Sequence, residues 1–274
     1  MRTFVVTGGT DGMGRGLGLH YLGRGDRVIA VGSSQGKGDL FLAAAADIGA
    51  AERANFVRAD LSTTAGVRKL IDQLPDVIDV LVLAAQRFRG ERVETEDGLE
   101  SSFALGYLSR YLLGHDLFDR LERAEAPLVL NIAAPGAPGK MQFDDLQLRK
   151  SYSGMRVSTQ TARRNDLLGV SFTQVHPDAR TRYVLYAPGL VATGIGDAMK
   201  QPMRTLYKVL SRLFAAPVAK AIVPMIELID NRPEAALTAF NRGKPLPLDG
   251  PAFDPADAER LQKTTADLVA SISR

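Results

Sequence analysis

The sequence predicts an α/β fold built on a doubly wound parallel sheet, and three features carry the prediction. Short β-branched runs alternate with longer amphipathic ones along the chain. The strand-like runs are apolar throughout rather than alternating. A glycine-rich turn joins the first of them to the first amphipathic segment. Strands with no polar face need cover on both sides, which a parallel sheet between two helical layers provides. Repeated β-α-β units with right-handed crossovers then give a three-layer αβα arrangement.

The predicted strands are residues 3–7, 27–31, 55–58, 77–83, 127–132 and 182–186, and the predicted helices 13–24, 37–49, 63–74, 97–123, 153–175 and 197–230. No repeat or linker interrupts them, so residues 1–274 are read as a single domain. Its length is normal for one α/β unit. The stretch 244–255 is rich in Pro and Gly and reads as a loop opening a C-terminal extension, 244–274. Asp254-Pro255 pairs an N-cap with a proline at the first helical position and starts a final helix running to about Ser271.

Composition excludes several classes of function. The chain has no cysteine, which removes disulfides, thiolate nucleophiles and Cys-ligated zinc. Its three histidines, His20, His115 and His176, show no metal-ligand spacing, so no metal is expected. His115 and His176 read as surface or capping residues. A net charge of +3 does not argue for nucleic acid. The first strand begins at Thr3, and no stretch approaches the roughly 18 apolar residues of a membrane span. A cytoplasmic protein is expected.

Thr7-Gly8-Gly9-Thr10-Asp11-Gly12-Met13-Gly14 follows the first strand and opens the first helix. Glycines there supply positive φ, let a ligand approach the backbone, and bring helix and strand close. An anion then sits on free N–H groups at the positive end of the helix. This is the phosphate-binding turn of a dinucleotide site, and it makes the fold Rossmann-type. With glycines at 8, 12 and 14 the turn resembles that of the short-chain dehydrogenases/reductases. Further segments extend the resemblance: Ala59-Asp60-Leu61, Thr95–Glu100, Phe143–Gln147, Tyr152–Arg156 and Pro188-Gly189-x-x-x-Thr193. The segments 143–147 and 152–156 are similar to a branch containing the retinol dehydrogenases.

The resemblance implies a set of cofactor contacts: Gly8, Thr10, Asp11, Gly12, Met13 and Gly14 at the turn, Asp60 and Leu61 at the adenine, Ala84 and Ala85 after the fourth strand, and Pro188, Gly189, Val191 and Thr193 at the nicotinamide carboxamide. The second strand ends in Gly32-Ser33-Ser34 with Lys37 beyond, and holds no acid to read a ribose 2′-hydroxyl. Ser33, Ser34 and Lys37 therefore favour NADP(H), although Asp11 argues the other way and Lys37 reads equally well as a solvated lysine.

The family's reaction, as the resemblance implies it, uses a Tyr as proton donor, a Lys four residues on, a Ser that holds the substrate oxygen and an Asn that supports a water relay. Those positions align with Ser158, Ala162, Ala134 and Gly106, and no Tyr-x-x-x-Lys occurs in residues 140–170. Tyr152 and Arg156 have the right spacing, but an arginine is no tunable base. Candidate groups in the cleft are Ser158, Tyr152 and Gln86. Gln86 stands where the family has Asn-Asn-Ala-Gly, either binding a substrate carbonyl or filling space. The leading expectation is a small, largely apolar, oxygenated substrate of the kind found in secondary metabolism. It is converted without the family's proton donor, as in a cyclisation, rearrangement or dehydration, with NADP(H) binding weakened or lost. The alternatives are a ketone or alcohol oxidoreductase with substituted groups, and a non-catalytic protein that senses dinucleotide or binds a partner.

Residues 194–216 are expected to form a substrate lid, with Lys200, Arg204, Lys208 and Arg212 on one face. A homodimer is expected through segment 97–123, which carries Phe103, Leu105, Leu108, Leu112 and Leu113.

Overall fold

A computed structural model describes residues 1–87, 89–189 and 217–272. The expected lid, with its four basic residues, and the expected contacts Val191 and Thr193 lie outside the described residues. Eight strands form one sheet in the order β3-β2-β1-β4-β5-β6-β7-β8. They are β1 Thr3–Thr7, β2 Arg27–Gly32, β3 Ala54–Arg58, β4 Val80–Leu83, β5 Leu128–Ile132, β6 Arg182–Ala187, β7 Leu237–Asn241 and β8 Lys244–Pro245. All neighbours pair parallel except β7 and β8. The order reverses at β1, where β2 and β4 flank it, and a crevice opens at the carboxyl ends of these strands.

The helices follow the amphipathic segments: α1 Gly12–Gly23, α2 Gln35–Asp47, α3 Thr64–Ile71, α4 Ser101–Phe103, α5 Ser109–Asp116, α6 Phe118–Glu122, α7 Gly154–Val175, α8 Val218–Ala221, α9 Val223–Asp230 and α10 Pro255–Ile272. One core cluster forms on each face of the sheet. Phe4, Val6, Leu17, Tyr21 and Phe41 belong to one, and Val5, Leu81, Phe103, Tyr107 and Leu168 to the other.

Several boundaries differ from expectation. β4 begins at Val80 rather than Val77, whose side chain is 43% exposed. The segment expected as one helix over 97–123 starts at Ser101, because Glu100 caps it with bonds from Ser102 N and Phe103 N at 2.9 and 2.7 Å. The same segment then passes through a π-helical turn, Ala104–Leu108, before α5. β7 and β8 fall outside the expected strands. Asp254 caps α10 as expected, accepting from Asp257 N at 2.8 Å.

The apolar residues read as a dimer face are used inside the chain. Phe103, Leu108, Leu112 and Leu113 are buried in the core cluster that also holds Phe253, Ala258 and Leu261. α10 ties down this side through Tyr107 Oη to Thr265 Oγ1 at 2.7 Å and Gln262 Nε2 to Tyr111 Oη at 3.1 Å. No helix among the described residues is long and apolar enough to cross a membrane.

Candidate functional site

The crevice is a cleft of about 950 Å³. Its floor at one end is the turn between β1 and α1. Gly8 has φ +65° and Gly12 φ +51°, which favour glycine, and a Cβ on Gly14 would lie 2.5 Å from the Gly8 carbonyl oxygen. The turn therefore depends on bare backbone at 8, 12 and 14. Thr7 ties β1 to β4, its hydroxyl accepting from Ala84 N and Ala85 N at 3.1 and 3.2 Å. The first N–H groups of α1 face this turn and have no intrahelical partners. Asp11 caps one of them, accepting from Gly12 N at 2.7 Å.

Gly8, Thr10, Asp11, Gly12, Met13 and Gly14 line this end of the cleft, as do Ser33, Ser34, Lys37, Asp60, Leu61, Ala84 and Ala85. Pro188 and Gly189 line it beyond β6. Local bonds already engage several of these groups. Asp60 Oδ1 accepts from Ser62 N and Ser62 Oγ at 2.9 and 2.6 Å. Ser34 caps α2, accepting from Lys37 N at 3.4 Å, and Lys37 Nζ meets Asp11 Oδ2 at 2.5 Å. That lysine is the first cause holding the Asp11 carboxyl below its ordinary pKa. The glycine cradle, the helix terminus and the lining residues fit the pyrophosphate and adenosine of a dinucleotide.

The short chain dehydrogenase pattern matches residues 2–141, just over half of the chain. The chain belongs to the short-chain dehydrogenase/reductase family. It is 30% identical over 206 residues to an uncharacterized oxidoreductase of Saccharomyces cerevisiae, covering 70% of this chain and 61% of that protein. It is 28% identical over 282 residues to DnrU, a daunorubicin C-13 ketoreductase candidate of Streptomyces sp., spanning all of this chain and 94% of that one. Among solved structures, a short-chain dehydrogenase from Sphingobium yanoikuyae in complex with NADPH superposes with a TM-score of 0.65 at 18% identity, covering 98% of this chain and 95% of that one.

At the other end of the cleft the positions aligned with the expected catalytic groups carry little chemistry, although Gln86, Arg110, Thr161 and Asn165 also line it. Ala134, Ser158 and Ala162 all face it, with Leu105, Ile132 and Ala133. Ser158 is exposed and sits on the first turns of α7. Gln86 lines the cleft as expected, and its Oε1 lies 2.9 Å from where a Cβ on Gly106 would stand.

Tyr152 lies elsewhere. It is absent from the cleft lining, and its hydroxyl donates to the Arg89 carbonyl at 3.5 Å and to Glu100 Oε1 at 3.4 Å. Burial and then Glu100 push its pKa up. The reason is positional. Tyr152 precedes Ser153, the N-cap of α7, so Tyr152 and Arg156 do not share a helical face. Arg156 bonds Ser151 Oγ instead.

Three residues not anticipated as site groups underlie this end. Arg110, on α5 and 3% exposed, reaches the cleft. It donates to Asn131 Oδ1, to Ile132 O at 2.9 Å, to Asn165 Oδ1 at 3.3 Å and to Ala85 O at 3.1 Å. Asn131 Nδ2 donates to Asn165 Oδ1 at 3.0 Å and to the Tyr183 hydroxyl at 2.9 Å. Asn165 Nδ2 donates to Gly106 O at 2.9 Å, within the π turn. The one sequence signal was Asn131, polar in the otherwise apolar run Leu128–Ile132.

His176 is the C-cap of α7, as expected, its N–H donating to Phe172 O at 3.0 Å. His115 and His176 also pair, Nδ1 to Nε2 at 3.1 Å, beside an aromatic cluster. Each ring lies within reach of Phe172.

Proposed function

We propose that this chain, read as one domain, binds NADP(H) in the cleft and acts on a small, largely apolar, oxygenated molecule without a Tyr–Lys proton donor. A cyclisation, rearrangement or dehydration fits such a site. The observation that carries this reading is the lining at the reacting end, where Ala134, Ser158 and Ala162 supply one short hydroxyl and no acid. Bound NADP(H) supplies a hydride donor or acceptor. The residues of this chain bind, orient and exclude water, and the apolar wall of Leu105, Ile132 and Ala133 selects the substrate by shape. A second reading, reduction of a ketone through substituted groups, is favoured by the match to DnrU along the whole chain.

The preference for NADP(H) rests on the end of β2. Ser33, Ser34 and Lys37 line the cleft there, and Arg87 Nη2 reaches Ser33 Oγ at 3.4 Å. The Lys37–Asp11 pair is more than half exposed on both sides, at 55% and 60%. Such a pair contributes at most about 1 kcal/mol, so Lys37 is free to turn toward a 2′-phosphate. Fluorescence or calorimetric titration is expected to show NADPH binding more tightly than NADH. Asp11→Asn keeps a capping side chain and removes a charge beside the phosphates. It is expected to tighten NADPH several-fold, and less so at high salt. No response at millimolar dinucleotide, or a clear preference for NADH, overturns the assignment.

If the protein forms a homodimer, it pairs through a face other than the apolar side of 97–123, which α10 covers.

A further inference from the structure

We infer that Arg110 and the Gln86 carboxamide form a subsite for an electron-rich oxygen, an enolate, phenolate or polarised carbonyl, on an apolar ligand. The inference rests on the reading of the cleft as a site for an apolar oxygenated molecule and names the group that this molecule presents.

The argument starts from the charge. Arg110 is buried, and among the described residues it forms no ion pair. Its partners are neutral oxygens: the side chains of Asn131 and Asn165 and the carbonyls of Ile132 and Ala85. Its Nε is buried with no partner among the described residues. Burial lowers its pKa to about 10, which leaves it a cation at neutral pH. A buried cation satisfied only by dipoles is costly, and a nearby negative charge stabilises it strongly in a low dielectric. The cleft is the side from which such a charge can arrive.

Gln86 transmits this potential. Its Oε1 lies 3.5 Å from Arg110 Nη2. Arginine has only donors, so the amide oxygen must face the guanidinium and the NH2 group must face away. The absence of a side chain at Gly106 leaves space for the carboxamide, which fills the position a Cβ would take. The π turn carrying Gly106 is pinned by Asn165. The amide NH2 is then a donor polarised by a cation behind it, with Leu105, Ile132 and Ala133 as the apolar part of the lining and Ser158, Thr161 and Asn165 as its neutral polar part. An oxygen that carries or develops negative charge gains most from that arrangement. Gln86 touches the ligand; Arg110 is a positioning residue acting through it.

The test uses 4-nitrophenol as a probe, because its ionisation is read directly by absorbance. Spectra are recorded across pH with saturating protein, with and without NADPH. The bound probe is expected to ionise more readily than the free one, its ionisation constant raised about tenfold. Gln86→Leu, a change at an exposed cleft position, is expected to abolish the shift while the probe still binds. Arg110→Met is expected to do the same, and Arg110→Lys to restore part of it. Gln86→Glu is expected to reverse its sign. No saturable binding overturns the inference, and so does a shift that survives Gln86→Leu. NADPH titration of the same samples separates the two readings. If NADPH binds but the probe shows no shift, only this subsite fails; if the shift appears but NADPH does not bind, only the dinucleotide assignment fails.

Discussion

A variant carrying Ala134→Ser, Ser158→Tyr and Ala162→Lys together is expected to oxidise NADPH with simple ketones at least about a hundredfold faster than the unmodified protein. A ketone that accepts hydride becomes an alkoxide, which needs a proton and donors aimed at it. Removing one such donor from an oxyanion site costs roughly 3–4 kcal/mol, and general acid catalysis contributes about 10²–10⁴-fold. Here three positions that line the cleft offer only Ser158, exposed and without an adjacent base. Generic ketones, aldehydes and quinones are therefore expected to turn over in the unmodified protein well below about 1 s⁻¹. Ala134 and Ser158 are exposed, so their replacements meet little packing resistance. Ala162 is 4% exposed, so the lysine is the demanding change and needs circular dichroism as a control. If the unmodified protein already reaches about 1 s⁻¹, the proposed reading fails and the ketoreductase reading takes its place.

The parallel sheet was legible because its strands are apolar on both faces, and that pattern needs no tertiary information. The same logic explains the strand that was missed. β7 lies near the sheet edge and only Ala239 within it is buried, so Leu237–Asn241 has no continuous apolar run. The π turn at Ala104–Leu108 was invisible for a different reason. Apart from Gly106 its residues are ordinary in a helix, and the extra residue per turn reflects how Gly106 O and the cleft are arranged in space.

At the site, the glycine turn was readable from spacing alone, since positive φ at Gly8 and Gly12 and close approach at Gly14 each demand glycine. Arg110 was not. In sequence it is one more charged residue on an amphipathic segment. It becomes a buried cation because oxygens from residues 85, 131, 132 and 165 converge on it. Tyr152, expected in the cleft, stands before the N-cap of α7, and its hydroxyl meets Arg89 O and Glu100 instead. The apolar positions of 97–123 were equally clear in sequence. Whether a second subunit or the chain's own C-terminal helix covers them is decided by residues 150 positions away.

Protonation of His115 is expected to destabilise this protein as the pH falls from 6.5 toward 4. Between them, His115 Nδ1 and His176 Nε2 share one hydrogen bond at 3.1 Å, which requires one ring nitrogen to accept. Phe118 stacks on His176 at 3.7 Å, and Tyr111 and Phe172 flank His115 at 4.7 and 5.7 Å. Burial, and then the neighbouring His176, push the His115 pKa down to about 4. His176 is also lowered, by burial, against the pull of Glu122 and Asp119. Because the folded pKa lies below the unfolded value near 6.5, the unfolded chain binds the extra proton first. Stability from this group is complete above pH 6.5 and is lost as the pH falls toward 4. The full loss is on the order of 3 kcal/mol, with about 2 kcal/mol gone by pH 5. Asp116, whose pKa burial raises, acts in the opposite sense but nearer the carboxylate range. Asp166, whose pKa burial raises to about 7, takes up a proton in the same window and also acts in the opposite sense, so the histidine is isolated by comparison with His115→Phe. That variant keeps an aromatic ring in the cluster and removes the titrating group. Between pH 7 and pH 5 the thermal midpoint of the unmodified protein is expected to fall by several degrees relative to that of His115→Phe. A difference between the two midpoints that does not change with pH places the acid sensitivity elsewhere.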